Sequence, residues 1–237
     1  MKQIFDVQCK IKLSQIIGWS LVVATLVSGT IYWFYPTSLW GMVMGSLTAG
    51  LIVAIIQFLM AKREYEMLEK IEDLELVKVL YNRDDRTYYE NLIRKSNKSI
   101  KVMGVTAKRF FEHFADTHNG APDNARVLLV AMERGVNVQI LLPHEDFLPE
   151  DKKDAHRQVK HTLQEIQRRN YTGKIEIKYF LHTPAHSIFM VDNNCIVGPV
   201  FERVESKYTP ALHLKKDSPF AVKYLEHFDA EWKSLNG

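Results

Sequence analysis

The first pattern along the chain is a long apolar stretch. From Leu13 to Ala61, 49 consecutive residues include no Asp, Glu, Lys, Arg or His. A helix needs about 20 residues to cross the hydrocarbon core of a bilayer. Pro36 divides the stretch into two apolar segments of that order, 16–34 and 39–60. The pattern therefore predicts a hairpin of two membrane-spanning helices, and it excludes a purely soluble protein and a simple secretory signal.

Small residues recur along the second predicted span. Gly41, Gly45 and Ala49 are spaced four apart, and Gly50 and Ala54 follow with the same spacing. Small residues at this spacing let a neighbouring backbone approach one helix face closely. The neighbour is either the first helix of the same hairpin or a helix of another protomer, which would make the chain a homo-oligomer.

Uncharged polar side chains are scattered through the same hairpin. They either line a narrow wet path or hydrogen-bond to the helix backbone. The seven residues are Ser14, Thr25, Ser28, Thr30, Ser46, Thr48 and Gln57. Because the hairpin has no ionisable side chain, proton-coupled transport is disfavoured.

After the hairpin the pattern becomes that of a water-exposed domain. Residues 62–80 predict an amphipathic juxtamembrane helix. Beyond Asn82, helices are predicted over 88–95, 108–114, 124–134, 151–169 and 220–235. Strands are predicted over 99–105, 136–142, 174–181, 187–191, 195–200 and 211–214, with a tight turn at 192–194. This alternation is typical of a mixed sheet covered by helices.

The predicted fold class is thus a membrane α-helical hairpin followed by a cytoplasmic α/β domain whose mixed sheet is flanked by helices. Four segments follow from the pattern: 1–13 is an N-terminal cytoplasmic segment and 14–61 is the hairpin. Residues 62–82 form the juxtamembrane helix, and 83–237 form the α/β domain.

Charges next to the two spans predict their orientation. Lys10 and Lys12 precede the first span, Lys62 and Arg63 follow the second, and the turn between the spans has no charge. Since cytoplasmic flanks carry an excess of Lys and Arg, both termini are expected in the cytoplasm of a bacterium, with two spans in the inner membrane. So little chain is left outside that a receptor for a large external ligand is excluded.

Composition adds one local asymmetry to a nearly balanced chain, whose formal net charge is +3. Between residues 152 and 178, basic side chains outnumber acidic ones. They form either a solvated helix face or a contact surface for nucleic-acid phosphates or anionic lipid headgroups. The basic residues are Lys152, Lys153, Arg157, Lys160, Arg168, Arg169, Lys174 and Lys178.

Cysteine and histidine spacing gives no sign of a metal or a cofactor. Cys9 and Cys195 are far apart and fit free thiols in a reducing compartment. No C-x-x-C or H-E-x-x-H motif is present among the nine histidines. The sequence therefore predicts neither a metal site nor a cofactor.

Several segments of the predicted α/β domain resemble one half of the phospholipase D superfamily. They are Ile100–Thr106, Ala131–Pro143 and Ser187–Gly198. The C-terminal segments 210–219 and 224–232 are similar to the C-terminal part of bacterial domains of this type. The resemblance implies a fold in which a helix ending in Glu-Arg-Gly precedes a core strand. A later hairpin of that fold carries the catalytic H-x-K-x-x-x-x-D motif.

The catalytic motif is where the sequence departs from that family. His186 is the candidate nucleophile, but Ile188 stands where the motif has lysine, and Asp192 follows after six residues rather than seven. Aligning on Asp192 instead places Ser187 at the lysine position. Both alignments lose the cation that binds phosphate, and the family needs two motif copies where this chain has at most one. His186 and Asp192 remain the only catalytic candidates, and a degenerate domain used for binding or assembly is favoured.

The whole architecture also resembles the two-transmembrane effectors of bacterial retron anti-phage systems. That resemblance implies an effector restrained by a reverse transcriptase with its RNA–DNA product, which damages the inner membrane when released. One alternative is a membrane-anchored phospholipase D-like phosphodiesterase or nuclease that acts through His186. Another is an interaction scaffold without a toxic output.

Overall fold

The chain forms two compact units, Met1–Lys70 and Ile71–Gly237. The computed structural model describes residues 2–118 and 120–235, with the backbone alone for residues 2–14, 66, 69 and 70. The side chains of Cys9, Lys10, Lys12 and Ser14 therefore lie outside the described residues.

The first unit consists of two long helices, α1 (Lys2–Phe34) and α2 (Leu39–Glu72). Within them, Gln15–Phe34 and Leu39–Tyr65 have mean hydropathies of 1.6 and 2.1 and are long and apolar enough to cross a membrane. The predicted pair of apolar helices is confirmed. The backbone of residues 2–13, in the predicted N-terminal segment, is helical and continuous with α1, and the cytoplasmic position of this segment stays a prediction.

Two glycines of α2 are explained by contacts inside this helix pair. A Cβ atom on Gly41 would lie 1.8 Å from the carbonyl oxygen of Tyr35, and one on Gly45 would lie 2.9 Å from the ring of Tyr32. Between the helices, Thr48 Oγ1 donates a 2.9 Å hydrogen bond to Ser28 Oγ. Gly41 and Gly45 therefore serve packing within the hairpin.

The other small residues of α2 divide between two environments. Ala54 is half-buried, whereas Ala49 and Gly50 are exposed. A Cβ atom on Gly50 would meet nothing within 4 Å. The five small residues therefore do not share one face, and Ala49 with Gly50 forms a free face of α2.

Hydroxyl groups of the hairpin bond to the backbone of their own helix. Thr25, Ser28, Thr30 and Ser46 each donate to a carbonyl three or four residues earlier, over 2.7–3.2 Å, whereas the single Thr48 proton goes to Ser28 Oγ. Such bonds satisfy the hydroxyl without water. For Thr25, Ser28, Thr30 and Ser46 the structure favours the backbone alternative over a wet path.

The second unit is built on a seven-stranded sheet of order β1-β7-β6-β5-β2-β3-β4. Strands β2, β3 and β4 run parallel, and all other neighbours are antiparallel, so the predicted mixed sheet is confirmed. The strands are β1 (Leu76–Leu80), β2 (Ser99–Met103), β3 (Asn137–Pro143), β4 (Ile175–Phe180), β5 (His186–Val191), β6 (Asn194–Pro199) and β7 (Ala211–Lys215).

Five α-helices cover the sheet, α7 on one face and α3–α6 on the other. They are α3 (Arg86–Arg94), α4 (Lys108–Phe114), α5 (Val127–Glu133), α6 (Glu150–Gln167) and α7 (Pro219–Ser234), with 3₁₀ turns at 123–125, 145–147 and 206–208. The core under α7 includes Met103, Leu141, Phe180, Ile188, Leu225 and Phe228. The core on the opposite face includes Ile100, Val102, Val138, Ile140, Leu128 and Leu163.

Strand β1 corrects the predicted juxtamembrane helix over 62–80. Helix α2 ends at Glu72, and Leu76–Leu80 pairs antiparallel with β7 instead of continuing the helix. Glu75 has a φ of +47°, a left-handed conformation that ends helical geometry. The β-branched valines at 77 and 79 favour a strand. The helical spacing of the apolar residues before them favours a longer helix, and the pairing with β7 decides for the strand.

The parallel strands define two edges of the sheet that matter below. We call the edge where β2, β3 and β4 end the carboxyl edge, and the edge where they begin the amino edge. Because β5 runs antiparallel to β2, it begins at the carboxyl edge and ends at the amino edge. The antiparallel order then places the start of β1 and the end of β7 at the amino edge as well.

A buried histidine makes the stability of this domain depend on pH. His213 on β7 is only 3% exposed, and its ring bonds to the Tyr88 hydroxyl and, over 3.0 Å, to Asn194 Oδ1. Burial, followed by the charges of Lys215 and Lys78, lowers the pKa of His213 to about 4. The imidazole is therefore neutral in the folded protein at neutral pH.

We expect the free energy of unfolding to fall by about 3 kcal/mol from this group as the pH falls from 6.5 to 4. Stability falls with falling pH because His213 takes up its proton near pH 6.5 in the unfolded chain, whereas its pKa in the folded chain is about 4. Urea unfolding at several pH values measures the effect. The His213→Gln variant is the reference, and an equally steep loss in that variant would contradict the assignment.

Candidate functional site

His186 lies at the carboxyl edge, as the first residue of β5, with its ring directed at α7. Its ring centroid is 4.8 Å from that of His227 and 5.2 Å from that of Tyr224, both on α7. The Nε2 atoms of His186 and His227 are both buried without a hydrogen-bond partner in the protein. The structure thus brings His186 together with a second histidine that the sequence did not single out.

The environment of His186 favours its neutral form. Burial, and then the charges of His227 and His182, lower the pKa of His186. A neutral imidazole with a free nitrogen can act as a nucleophile or a base when a substrate reaches it. The chemistry expected of the phospholipase D motif needs a cation beside it.

That cation is absent from the face of β5 on which His186 lies. Ile188, which takes the lysine position, is 1% exposed and packs in the apolar core with Leu225 and Phe228 of α7. A phosphate group placed there would displace α7 from the sheet. With the motif aligned on His186, the lysine position therefore falls on a buried residue that has no room for a phosphate.

A cation does lie beside the other candidate position, Ser187, on the opposite face of β5. The Arg83 guanidinium donates to the hydroxyls of Ser187 and Thr209, and to the carbonyl oxygens of Pro199 at 3.0 Å and Ser206 at 2.9 Å. Burial lowers the pKa of Arg83. All four bonds go to neutral groups of the protein, so they tie the carboxyl-edge loops together.

Sequence reasoning missed Arg83 because its partners are far away along the chain. It is more than 100 residues from each of them. No spacing rule connects positions that meet only through the order of the strands. The Asn-Arg-Asp-Asp-Arg run at 82–86 marked a break between elements but not this contact.

Asp192 lies at the other end of β5, at the amino edge. Its carboxylate accepts hydrogen bonds from the backbone amides of Asn97 at 2.7 Å, and of Lys98 and Ser99 at 2.9 Å each. The six residues of β5 separate it from His186 by about 20 Å at 3.3 Å per residue. His186 and Asp192 do not form one site, and Asp192 fixes the segment that enters β2.

The remaining polar groups near His186 do not form a metal centre. His182 Nε2 is 3.3 Å from Glu231 Oε1, and the His182 ring stacks on Phe180 at 4.4 Å. Within residues 2–118 and 120–235, no three His, Cys, Asp or Glu side chains are grouped so as to hold a metal ion.

The eight basic residues between 152 and 178 do not form one surface. On α6, Lys152, Lys153 and Arg157 pair with acidic neighbours over 2.7–3.6 Å. Lys178 lies on β4 facing α7, where its ammonium donates to the Trp232 carbonyl and sits 4.7 Å from the indole centroid. Much of this charge is therefore neutralised locally.

The C-terminal members of that set lie elsewhere. Arg169 donates to the Thr117 carbonyl at 2.5 Å, and with Arg168 it lines an open cavity of about 870 Å³ between α4 and α6. Lys160 is exposed on α6, and Lys174 is exposed just before β4.

The fold and these sites define the chain as an α/β domain with a mixed sheet joined to two apolar helices. No family model and no curated protein matches its sequence. Its similarity to solved structures is distant. NucT from Helicobacter pylori is 13% identical with a TM-score of 0.41, covering 66% of this chain and 95% of that one.

Two other solved structures show similarity at the same level. Phosphatidylserine synthase from Haemophilus influenzae Rd KW20 is 11% identical with a TM-score of 0.36, covering 67% of this chain and 38% of that one. The archaeal chromatin protein TrmBL2, described with a novel mode of DNA binding, is 14% identical with a TM-score of 0.40, covering 78% and 69%. NucT and the synthase have phospholipase D-like folds. Because these three TM-scores are below 0.5, the functional interpretation rests on the geometry of this chain.

Proposed function

We propose that this chain is a two-span effector that damages or permeabilises the bacterial inner membrane, as part of an anti-phage system of the retron type. The observation that carries the proposal is the helix pair. Its two helices pack through Gly45 and the Ser28–Thr48 hydrogen bond, Gly41 fits against the turn at Tyr35, and most of the large apolar side chains are exposed. Such a surface is stable only when lipid or another apolar helix covers it.

The free face of α2 supports assembly of several copies in the membrane. Ala49 and Gly50 are exposed and are not used by the hairpin itself. Small residues on a lipid-facing helix permit close helix–helix contact. In this proposal the homo-oligomer forms through that face and breaches the membrane.

The α/β domain acts as the control in this proposal. A domain without a phosphate-binding cation beside His186 suits binding better than hydrolysis. Both termini lie in the cytoplasm, where the domain would meet its partner. The proposed partner is a reverse transcriptase with its RNA–DNA product, which holds the effector inactive until infection disturbs the complex.

A membrane-anchored phosphodiesterase or nuclease of the phospholipase D-like kind is the second candidate. It is favoured by one observation, the neutral His186 ring with a free Nε2 at the carboxyl edge. In that case Arg83, across β5, would have to exchange its internal bonds for a phosphate.

Expression of the full chain in a bacterium with a membrane-potential dye separates the two candidates. We expect loss of potential and of growth with the wild type and with His186→Ala, since no step of the effector uses that ring. Gly50→Leu should lose the effect, because it adds bulk to the free face without touching the hairpin. Ile52→Phe, at another exposed position of α2, is the matched control.

The outcomes of this experiment are distinct. An unchanged potential at high expression of membrane-inserted wild type would contradict the effector. A His186→Ala chain that inserts but is inactive would favour the phosphodiesterase. Restored growth on co-expression with a reverse transcriptase and its RNA–DNA product would support the proposed restraint.

A further inference from the structure

Lysines from three distant segments meet at the amino edge of the sheet. We call them the amino-edge lysines: they lie in the loop before β2, in the loop before β4 and at the end of β7. Their side chains are all exposed. They are Lys95, Lys98, Lys174, Lys215 and Lys216.

Hydrogen bonds across the edge connect the loop before β2 to the loop before β4. The Asn137 amide donates to the Lys98 carbonyl at 3.2 Å, and the Lys174 amide donates to Asn137 Oδ1 at 3.0 Å. Asn137 begins β3, so it bridges the loop before β2 to the loop before β4. Lys98 and Lys174 are therefore two strands apart along one edge, about 10 Å at the usual strand spacing.

The β5–β6 turn joins the remaining lysines to the same row. Asp192 binds the Lys98 amide at 2.9 Å, and the neighbouring Asn193 carbonyl accepts from the Lys216 amide at 3.0 Å. Lys215 is the last residue of β7, and its amide donates to the Glu75 carbonyl at 3.0 Å. The row thus runs across the sheet from β4 to β7.

The charge of this row is not neutralised by the domain. Within the described residues, none of the five ammonium groups has an ion pair. The Asp192 carboxylate accepts from three neutral backbone amides and adds one negative charge beside Lys98. Exposed Arg134 and Arg168 add positive charge where β3 and β4 begin.

Acidic residues at this edge lie mainly at its β1 end. They are exposed Glu72, Asp73 and Glu75, with Asp217 after β7, Glu133 before β3 and the half-buried Asp192 between β5 and β6. Positive charge therefore dominates from β2 to β4 and at Lys216, away from β1. Isolated surface lysines are ordinary, but three separate segments contribute lysines to this edge, so positive charges outnumber negative ones from β2 to β4.

The amino edge is also the edge to which the apolar helix pair is tied. Only residues 73–75 separate the end of α2 from the start of β1. The apolar span of α2 ends at Tyr65, so seven further helical residues, about 10 Å long, and a linker of at most about 14 Å connect this edge to the membrane-spanning segment. The cytoplasmic leaflet of a membrane is anionic and attracts lysines close to its surface.

We propose that the amino-edge lysines bind the anionic headgroups of the cytoplasmic leaflet and so hold the α/β domain against the membrane. The surface rests on the proposed function only in requiring that the helix pair spans a bilayer. It adds that the membrane itself is a ligand of the domain. The binding would vary with the fraction of anionic lipid and with salt.

The test uses the full chain in nanodiscs with a fluorescent probe in the turn between the lysines. Asn193→Cys carries the probe and keeps all five lysines, in a Cys9→Ser background, since Cys195 is fully buried. Nitroxide-labelled headgroups quench the probe when it approaches the bilayer. Asp154→Cys on α6, near the carboxyl edge, is the control position.

We expect quenching at Asn193→Cys to be at least about fivefold greater with phosphatidylglycerol discs than with phosphatidylcholine discs, and to be lost at ~1 M salt. A variant with Lys95, Lys98, Lys215 and Lys216 changed to Gln should lose the difference. A variant with Lys152, Lys153, Arg157 and Lys160 changed to Gln should keep it, because those side chains lie on α6.

Equal quenching in the two kinds of disc would overturn the proposal, as would full quenching in the first Gln variant. A probe that ignores lipid but responds to duplex DNA or RNA would make this a nucleic-acid surface and would likewise overturn it. A chain that fails to enter the discs would contradict the proposed membrane insertion. A chain that enters the discs without quenching would contradict only the binding of headgroups by the amino-edge lysines.

Discussion

Replacement of Gly41 with alanine is expected to break the packing of the helix pair and abolish membrane damage. The new Cβ atom would lie 1.8 Å from the carbonyl oxygen of Tyr35, which belongs to the backbone of the turn and cannot rotate away. Overpacking of this severity costs about 3 kcal/mol or more, because the backbone itself must shift. The effect should appear as loss of the membrane-potential response and as a lower unfolding temperature in detergent.

Gly50→Ala is the matched control for Gly41→Ala. It adds the same methyl group to the same helix, at a position where nothing lies within 4 Å. Its unfolding temperature in detergent should equal that of the wild type. If Gly41→Ala unfolded at the same temperature as Gly50→Ala, the tight turn of the hairpin would be contradicted.

Loss of the Asp192 carboxylate is expected to destabilise the α/β domain by about 4.5 kcal/mol. Hydrogen bonds to a charged group contribute about 1.5–3 kcal/mol each, and the low end applies to these three because Asn97 and Lys98 are exposed to water. In Asp192→Ala three backbone amides, those of residues 97–99, lose their acceptor at once. Alanine is also strained at this position, where φ is +51°. Urea unfolding of the full chain measures the loss.

Asp217→Ala removes an exposed carboxylate from the same edge of the sheet and should change the stability by less than about 0.5 kcal/mol. Asp192→Asn, which tolerates the backbone conformation, should lose an intermediate amount. A stable Asp192→Ala chain that lost a phosphodiesterase activity would instead indicate a chemical role for this residue.

Local patterns predicted much of the fold. The uncharged stretch gave the helix pair, and the Asp-Asn-Asn turn with apolar segments on each side gave the β5–β6 hairpin. These elements were predictable because their signals lie within about 20 residues. Strand β1 was not, because its five residues acquire meaning only through β7, far along the chain.

The candidate site was less predictable for the same reason. His186 could be singled out by a motif, but its neighbour His227 lies on α7 and the cation at Ser187 comes from residue 83. The spacing of His186 and Asp192 suggested one site, whereas strand geometry places them at opposite edges. The amino-edge lysines were missed because only the order of the strands brings their loops together.

The position of strand β1 in the sheet also affects how this protein folds during its synthesis. Its only partner in the sheet is β7, so residues 81–215 must be synthesised before β1 can pair fully. At about 5–20 residues per second, roughly 130 residues take on the order of ten seconds. During that time α1 and α2 are already available to the membrane, while Val77 and Val79 remain an unpaired strand beside them. A nascent chain is therefore most exposed to wrong pairing with a neighbouring copy just after its helix pair has emerged.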